Sequence, residues 1–329
     1  MKVNFFFWIT ATLFLMSLNS FASENEDISS STNFGQFKIK RLQIIHHENE
    51  LKTYIIPIKR YQNLILIEAS LDSILGDFVF DTGAPYLILN QTYFRKYRNL
   101  GSINSGGVNG QAPGFKTFVK SIQIDQLGIK KLEADVVDLS AIENNKKLKI
   151  LGLLGTQLFN NYAIVVDPYQ NQMYIHEVDR KGNFSDEQKR FRNLYLKTNF
   201  SLNNNVILLN GNVRGKGLVF AFDTGAEVNL IDFRMPKKVS TALYSINRIN
   251  MAGVGEGNTE LLYAKLDSLN METRTFMNNR FLVADLSKMN KYYNQYIDGI
   301  LGYDFYSRGV FMINFVKKEF EMYYQYVEN

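Results

Sequence analysis

The chain has no cysteine among its 329 residues. No disulfide staples it, no thiol serves as a nucleophile, and its stability must come from packing. Histidine is almost as scarce: His46, His47 and His176 are the only three. None stands in a His-Glu-x-x-His pattern, which argues against a zinc peptidase. The adjacent His46 and His47 read as solvent-facing residues beside a strand, so no metal is expected. No Gly-x-Ser-x-Gly elbow is present, so that serine-hydrolase pattern is excluded too. Five prolines are too few for a proline-rich linker. Charge of one sign is not concentrated either: the formal net charge is +5, spread along the chain. The short cluster Lys146-Lys147-Leu148-Lys149 reads as a solvated loop, and no zinc finger, RNP pattern or basic helix points to nucleic acid.

Long apolar runs are missing except at the N-terminus. Met1 to Ala22 reads as a secretory signal peptide, with Lys2 as the charged start, an apolar stretch from Phe5 to Leu18, and Ser20-Phe21-Ala22 as the cleavage site. The apolar core is shorter than the about 20 residues a spanning helix needs, so stable membrane insertion is not expected. Without a cysteine at the cleavage site a bacterial lipoprotein anchor is excluded. The expected location is the periplasm or the exterior.

Aromatic residues are abundant: 25 Phe and 19 Tyr favour strands over helices. Within this background one tetrapeptide occurs twice, Asp81-Thr82-Gly83-Ala84 and Asp223-Thr224-Gly225-Ala226. Each follows a strand-like run (Phe78-Val79-Phe80, Phe220-Ala221-Phe222) and precedes another (Tyr86 to Leu89, Val228 to Ile231). The two copies lie 142 residues apart. At that offset Asn63 falls on Asn205, Ile65 on Ile207, Leu71 on Val213 and Phe78 on Phe220. Later in each copy comes a glycine run, Ile150-Leu151-Gly152-Leu153-Leu154-Gly155 and Ile297-Asp298-Gly299-Ile300-Leu301-Gly302, now offset by 147 residues (302 − 155). Asp167 and Asn314 close the following strands at the same offset. A repeat of this length means one structural unit used twice.

The organisation follows from the repeat. Residues 1–22 are the leader and 23–52 an N-terminal extension, with a strand over Phe37 to Ile45 and enough length for a pro-segment. Residues 53–178 form lobe 1, residues 179–193 a charged linker, and residues 194–329 lobe 2. Short strands with turn signals dominate, and helix is confined to short pieces: Gln91 to Tyr97, a stretch near Asn160, and Leu286 to Tyr293. Gly101 to Gly110 and Met251 to Gly257 read as matching glycine-rich hairpin tips. Asp167 and Asp298 read as turn or strand-end residues.

A carboxylate carried twice on a tight glycine turn between buried strands points to a pair. Two such groups brought together share one proton and act as acid and base. Here the chain resembles the retropepsin-like aspartic peptidases, specifically the bacterial exported type with two Asp-Thr-Gly units in one polypeptide. The resemblance covers roughly Tyr54 to Tyr326. It implies an all-β fold of two similar aspartic-protease-like lobes with a cleft between them, and an endopeptidase acting on polypeptide. It implies Asp81 and Asp223 as the catalytic pair, with Thr82 and Thr224 hydrogen-bonded across a pseudo-twofold axis and Gly83 and Gly225 allowing close approach. It places substrate-covering flaps at Gly106 and Gly107 and at Gly253 and Gly255. It implies no cofactor, and a monomer in which the two lobes pair within the chain. Pro85 after the first motif has no counterpart in Glu227, so the lobes are not equivalent. The alternative from another class is a catalytically silent peptide-binding protein on the same fold.

Overall fold

In the computed structural model the described residues are 14–15, 51–107, 110–185, 191, 193–252, 258–293 and 296–324. The expected leader, apart from Phe14–Leu15, most of the extension and both N-terminal histidines lie outside them.

The fold is all-β. Lobe 1 contains β1 (Thr53–Tyr61), β2 (Leu64–Leu71), β3 (Ile74–Phe80), β4 (Leu87–Asn90), β5 (Gly101–Gly107), β6 (Gly110–Ile124), β7 (Leu127–Val137), β8 (Gly152–Leu154), β9 (Tyr162–Asp167) and β10 (Gln172–Glu177). Lobe 2 contains β11 (Leu194–Asn199), β12 (Ser201–Asn203), β13 (Val206–Val213), β14 (Lys216–Phe222), β15 (Asn229–Asp232), β16 (Leu243–Ala252), β17 (Asn258–Met271), β18 (Arg274–Ala284), β19 (Gly299–Leu301), β20 (Val310–Asn314) and β21 (Glu319–Tyr323).

Local sequence explains the strand types. In β1 the inward Ile56 and Ile58 alternate with the exposed Ile55 and Pro57, the period of a sheet wet on one face. In β2 the run Leu64-Ile65-Leu66-Ile67 is buried on both faces. The β2–β3 hairpin turns on Asp72 and Ser73, both at positive φ, and the β13–β14 hairpin turns on Arg214 and Gly215 in the same way. Such two-residue turns match the twist of the strands they join.

Each lobe repeats one crossing. Strand β8 inserts between β3 and β4, parallel to the first (Phe78 opposite Gly152, Phe80 opposite Leu154) and antiparallel to the second. In lobe 2, β19 inserts between β14 and β15 in the same register (Phe220 opposite Gly299, Phe222 opposite Leu301). The insertion is tight. A Cβ on Gly302 would stand 2.5 Å from the Ala226 carbonyl oxygen and 2.8 Å from that of Val228, so only glycine passes beneath the second loop.

The lobes share a sheet ordered β1-β10-β9-β20-β21-β11. At its centre β9 and β20 run antiparallel, pairing Ile164 with Ile313 and Val166 with Phe311. These two pairs exchange under the 147-residue offset, so the pseudo-twofold axis passes between the strands. A single apolar cluster runs through both lobes, from Ile56 to Met322. Its lobe 2 part is aromatic-rich, with Phe222 in contact with Phe305, Tyr306, Phe311 and Phe320.

Helix is indeed sparse, with three adjustments. The first helix covers only Gln91–Phe94: Asn90 caps it by accepting the Thr92 N–H, and it ends at Arg95. The stretch before Asn160 is a 3-10 turn, Thr156–Phe159, and the late helix is Ser287–Tyr293. Three helices had no clear sequence signal: Ser140–Lys146, Lys237–Ser240 and Tyr303–Tyr306. The Lys146–Lys149 cluster requires a correction. Lys146 ends a helix and is buried, 3 % exposed, while Lys147 and Lys149 face solvent.

Candidate active site

The two Asp-Thr-Gly loops meet at the pseudo-twofold axis. Asp81 and Asp223 are 2 % and 1 % exposed, and Thr82 and Thr224 are fully buried. Each loop starts where its strand is gripped by the crossing strand: Asp81 N–H donates to Leu154 O, and Asp223 N–H donates to Leu301 O. The carboxylates are then folded back onto their own turns. Asp81 Oδ1 accepts from the Gly83 and Ala84 N–H groups at 2.9 and 3.2 Å, and Asp223 Oδ1 accepts from Gly225 N–H at 2.8 Å.

The threonines tie the loops together by four reciprocal hydrogen bonds. Thr82 N–H donates to Thr224 Oγ1 at 3.0 Å, and Thr224 N–H donates to Thr82 Oγ1 at 2.9 Å. Each hydroxyl then donates across the axis, Thr82 Oγ1 to Phe222 O at 2.9 Å and Thr224 Oγ1 to Phe80 O at 2.7 Å. Threonine suits the position because one hydroxyl both accepts and donates. Glycine suits the next one: a Cβ on Gly225 would lie 2.7 Å from the Asp81 carboxyl carbon.

This geometry decides the electrostatics. Burial pushes the Asp81 carboxyl well above the ordinary carboxylate range; repulsion from Asp223 and a side-chain hydrogen bond to it push the same way, against the Gly83 and Ala84 N–H groups. Buried like charges this close do not both ionise, so the arrangement holds a proton between two carboxyl groups. Such a pair accepts a proton from water on one side and donates one on the other.

The surroundings hold features the sequence pattern did not expose. Tyr306 is buried at the junction, its hydroxyl donating to Asn63 O at 2.8 Å and Thr224 O at 3.3 Å. Burial first, and then Asp223, hold its phenol well above the usual tyrosine range. At the 147-residue offset its counterpart is Phe159, so one lobe adds a hydroxyl to a shared aromatic position. Glu227, the residue that breaks the match with Pro85, is buried and paired with Lys146 of the other lobe. Lys146 Nζ also donates to Gln62 Oε1 at 2.5 Å. Burial raises the Glu227 carboxyl and Lys146 opposes this. Asn63 Nδ2 donates to Glu227 O, and Thr156 Oγ1 donates to Asn205 O, so both lobes contribute to the seam.

The other sequence-predicted residues fall as follows. Gly106 and Gly107 pair with Gln111 and Gly110 at the end of the β5–β6 hairpin, and β5 approaches the Ser287–Tyr293 helix of lobe 2. The Phe14–Leu15 strand pairs with Gly106 and Ser105 on the other edge of β5. Lobe 2 has the matching β16–β17 hairpin, but Gly253 and Gly255 lie outside the described residues. Asp167 accepts the Tyr169 and Gln170 N–H groups in a turn, and Asp298 accepts from Val219 N–H at a strand start. His176 is buried against Phe184, with Nδ1 2.7 Å from Thr53 Oγ1. Among the described residues no group of three or more acidic or histidine side chains is arranged to hold a metal.

Residues 209–305 match the family model of aspartyl proteases. That stretch contains the second Asp-Thr-Gly loop and the Ile300-Leu301-Gly302 crossing. It supports aspartyl protease activity in general terms, a peptidase hydrolase with polypeptide as substrate. No curated protein matches the chain. Among the described residues no helix is long and apolar enough to cross a membrane.

Proposed function

We propose that the chain is an exported, retropepsin-like aspartic endopeptidase whose two Asp-Thr-Gly units form one site within one polypeptide. The observation that carries this reading is the meeting of Asp81 and Asp223 at the pseudo-twofold axis, both buried, with the Asp81 carboxyl held well above its ordinary range.

The chemistry follows from the shared proton. The ionised member of the pair takes a proton from a water lying between the carboxylates, and that water attacks the peptide carbonyl carbon. The protonated member donates to the carbonyl oxygen, giving a tetrahedral diol. Proton transfer to the amide nitrogen then lets the C–N bond break, releasing an amine and a carboxylic acid. No covalent enzyme intermediate is required. Thr82, Gly83, Thr224 and Gly225 support the loops without touching the reacting atoms. The β5–β6 and β16–β17 hairpins serve as flaps, to which the glycine pattern of the sequence assigns Gly106, Gly107, Gly253 and Gly255. The cross-lobe threonine bonds supply within one chain the pairing that a half-site would seek in a second copy, which supports a working monomer. The apolar leader with its Ser20-Phe21-Ala22 site supports export to the periplasm or the exterior.

Initial rates of cleavage of an unfolded protein, measured from acid to neutral pH, test this. A coupled dyad predicts a bell-shaped kcat/KM with two limbs that belong to the pair. A folded protein that cleaves at no pH, while binding peptides, would instead favour the silent binding protein.

A further inference from the structure

Beside the first Asp-Thr-Gly loop lies a cavity of about 230 Å³, lined by Tyr86, Lys116, Glu133, Ala134, Asp135 and Gln157. It is built from the same turn as Asp81. Tyr86 stands two residues past Ala84, and Gln157 N–H donates to Pro85 O at 3.2 Å. Asp81 and Tyr86 are five residues apart, at most about 18 Å of extended chain. A substrate strand crossing the aspartate pair therefore reaches the cavity within a few residues.

The cavity carries a carboxyl group that its surroundings leave under-compensated. Asp135 is 4 % exposed, and no side chain among the described residues hydrogen-bonds to it or forms an ion pair with it. Burial pushes its pKa up to about 6; Lys116 pulls down and Glu133 adds to the rise. A buried carboxylate without a close partner favours binding a cation.

The repeat shows that this is a property of one lobe. Ile88 pairs with Asp135 in lobe 1 where Leu230 pairs with Leu282 in lobe 2. Lys116 faces Asp135 where Tyr263 faces Leu282. By the same registers Glu133 matches Arg280, and by the loop offsets Tyr86 matches Val228 and Gln157 matches Asp304. In lobe 2 Val228 and Leu282 are buried in an apolar cluster against Tyr263, and Arg280 is already paired with Asp304. The equivalent place is thus apolar and internally neutralised. In lobe 1 it is open and carries two carboxylates against one lysine.

We propose that this lobe 1 cavity is a specificity subsite that accepts a cationic side chain, lysine or arginine, of the polypeptide substrate, with Asp135 and Glu133 as its counter-charges. The proposal rests on the endopeptidase reading. It makes the protein asymmetric toward its substrate, taking a basic residue on one side of the scissile bond and none at the symmetry-related position.

The test is digestion of a mixed peptide library by the full mature chain, with cleavage sites mapped by mass spectrometry. A matched pair of peptides differing only by lysine or methionine at the enriched position follows. The wild type should show lysine and arginine enriched at one position on one side only. Asp135→Leu, which installs the lobe 2 residue, should lower the lysine-to-methionine ratio of kcat/KM by about tenfold or more, the scale of a charge-assisted contact. Asp135→Asn, which keeps the volume, should lower the same ratio; the ratio is internal to each variant and independent of how much protein is folded. Cleavage without basic enrichment, or a ratio unchanged in both variants, overturns the subsite and leaves the peptidase standing. A folded wild type that cleaves nothing removes the activity and the subsite together.

Discussion

Replacing Thr82 by valine tests how the two halves are held at the site. The side chain keeps its branched shape and loses one hydroxyl. That hydroxyl makes two of the four cross-axis bonds, accepting from Thr224 N–H and donating to Phe222 O. Both partners are buried at the lobe junction, where water does not replace the lost contact. Leaving a buried donor or acceptor unsatisfied costs about 1–3 kcal/mol each, so two such groups predict a loss of about 2–6 kcal/mol. Threonine and valine are not interchangeable inside a core for this reason. Urea unfolding of wild type and Thr82→Val measures the loss, and Thr82→Ser separates hydrogen bonding from packing. Serine keeps both bonds and gives up one methyl group, about 1 kcal/mol. Peptide cleavage should fall with valine and survive with serine, because the loops that carry the aspartates are positioned by the hydroxyl. A valine variant within 0.5 kcal/mol of wild type, a threshold set by the roughly ±0.5 kcal/mol effect of ordinary surface substitutions, would refute the reasoning.

Three further outcomes follow from the same geometry. Because the native fold raises the Asp81 carboxyl, the folded state holds a proton that the unfolded chain releases near its ordinary value of about 4. Stability therefore falls as pH rises from about 4 through the native value, at up to about 1.4 kcal/mol per pH unit. Asp81→Asn should flatten that decline and be more stable than wild type at neutral pH; equal slopes in urea titrations across pH would contradict this. Lys146→Met should cost about 3–5 kcal/mol by stranding buried Glu227, and the double variant Lys146→Met, Glu227→Leu should recover most of it in the same measurement. Tyr306→Phe should cost about 1–2 kcal/mol in thermal or urea unfolding through the lost bond to Asn63 O, with the ring accommodated as Phe159 is in lobe 1.

The meeting of the two loops at the candidate site was legible because their signal is local and doubled. A turn tetrapeptide between apolar runs reads the same way twice, and the glycine runs mark the strands that thread beneath it. The strand content followed from the same patterns. What the sequence concealed depends on contacts between distant segments. Lys146 sits in a basic run that reads as solvated; its burial is set by Glu227 across the seam, which no local pattern links to it. Tyr306 reads as one more aromatic in a tyrosine-rich tail, and only alignment of the repeats sets it against Phe159. Asp135 lies in Leu132-Glu133-Ala134-Asp135-Val136, where alternation sets it on the face of the exposed Glu133, opposite Ala134 and Val136, and so reads as solvent-facing. The parallel pairing of β4 with β7 sets Ile88 beside it, and there Asp135 is buried. The short helices were missed for a related reason. Ser140–Lys146 has no side-chain cap at its start, and Tyr303–Tyr306 is a single turn held by packing around Phe305.

The central claim is that one chain hydrolyses peptide bonds with a proton shared between Asp81 and Asp223. The most direct measurement is cleavage of an unfolded protein by the mature chain beside its Asp81→Asn and Asp223→Asn variants, each shown to be folded. The account predicts cleavage by wild type and its loss in both single variants. Either variant retaining most of the wild-type rate would contradict it.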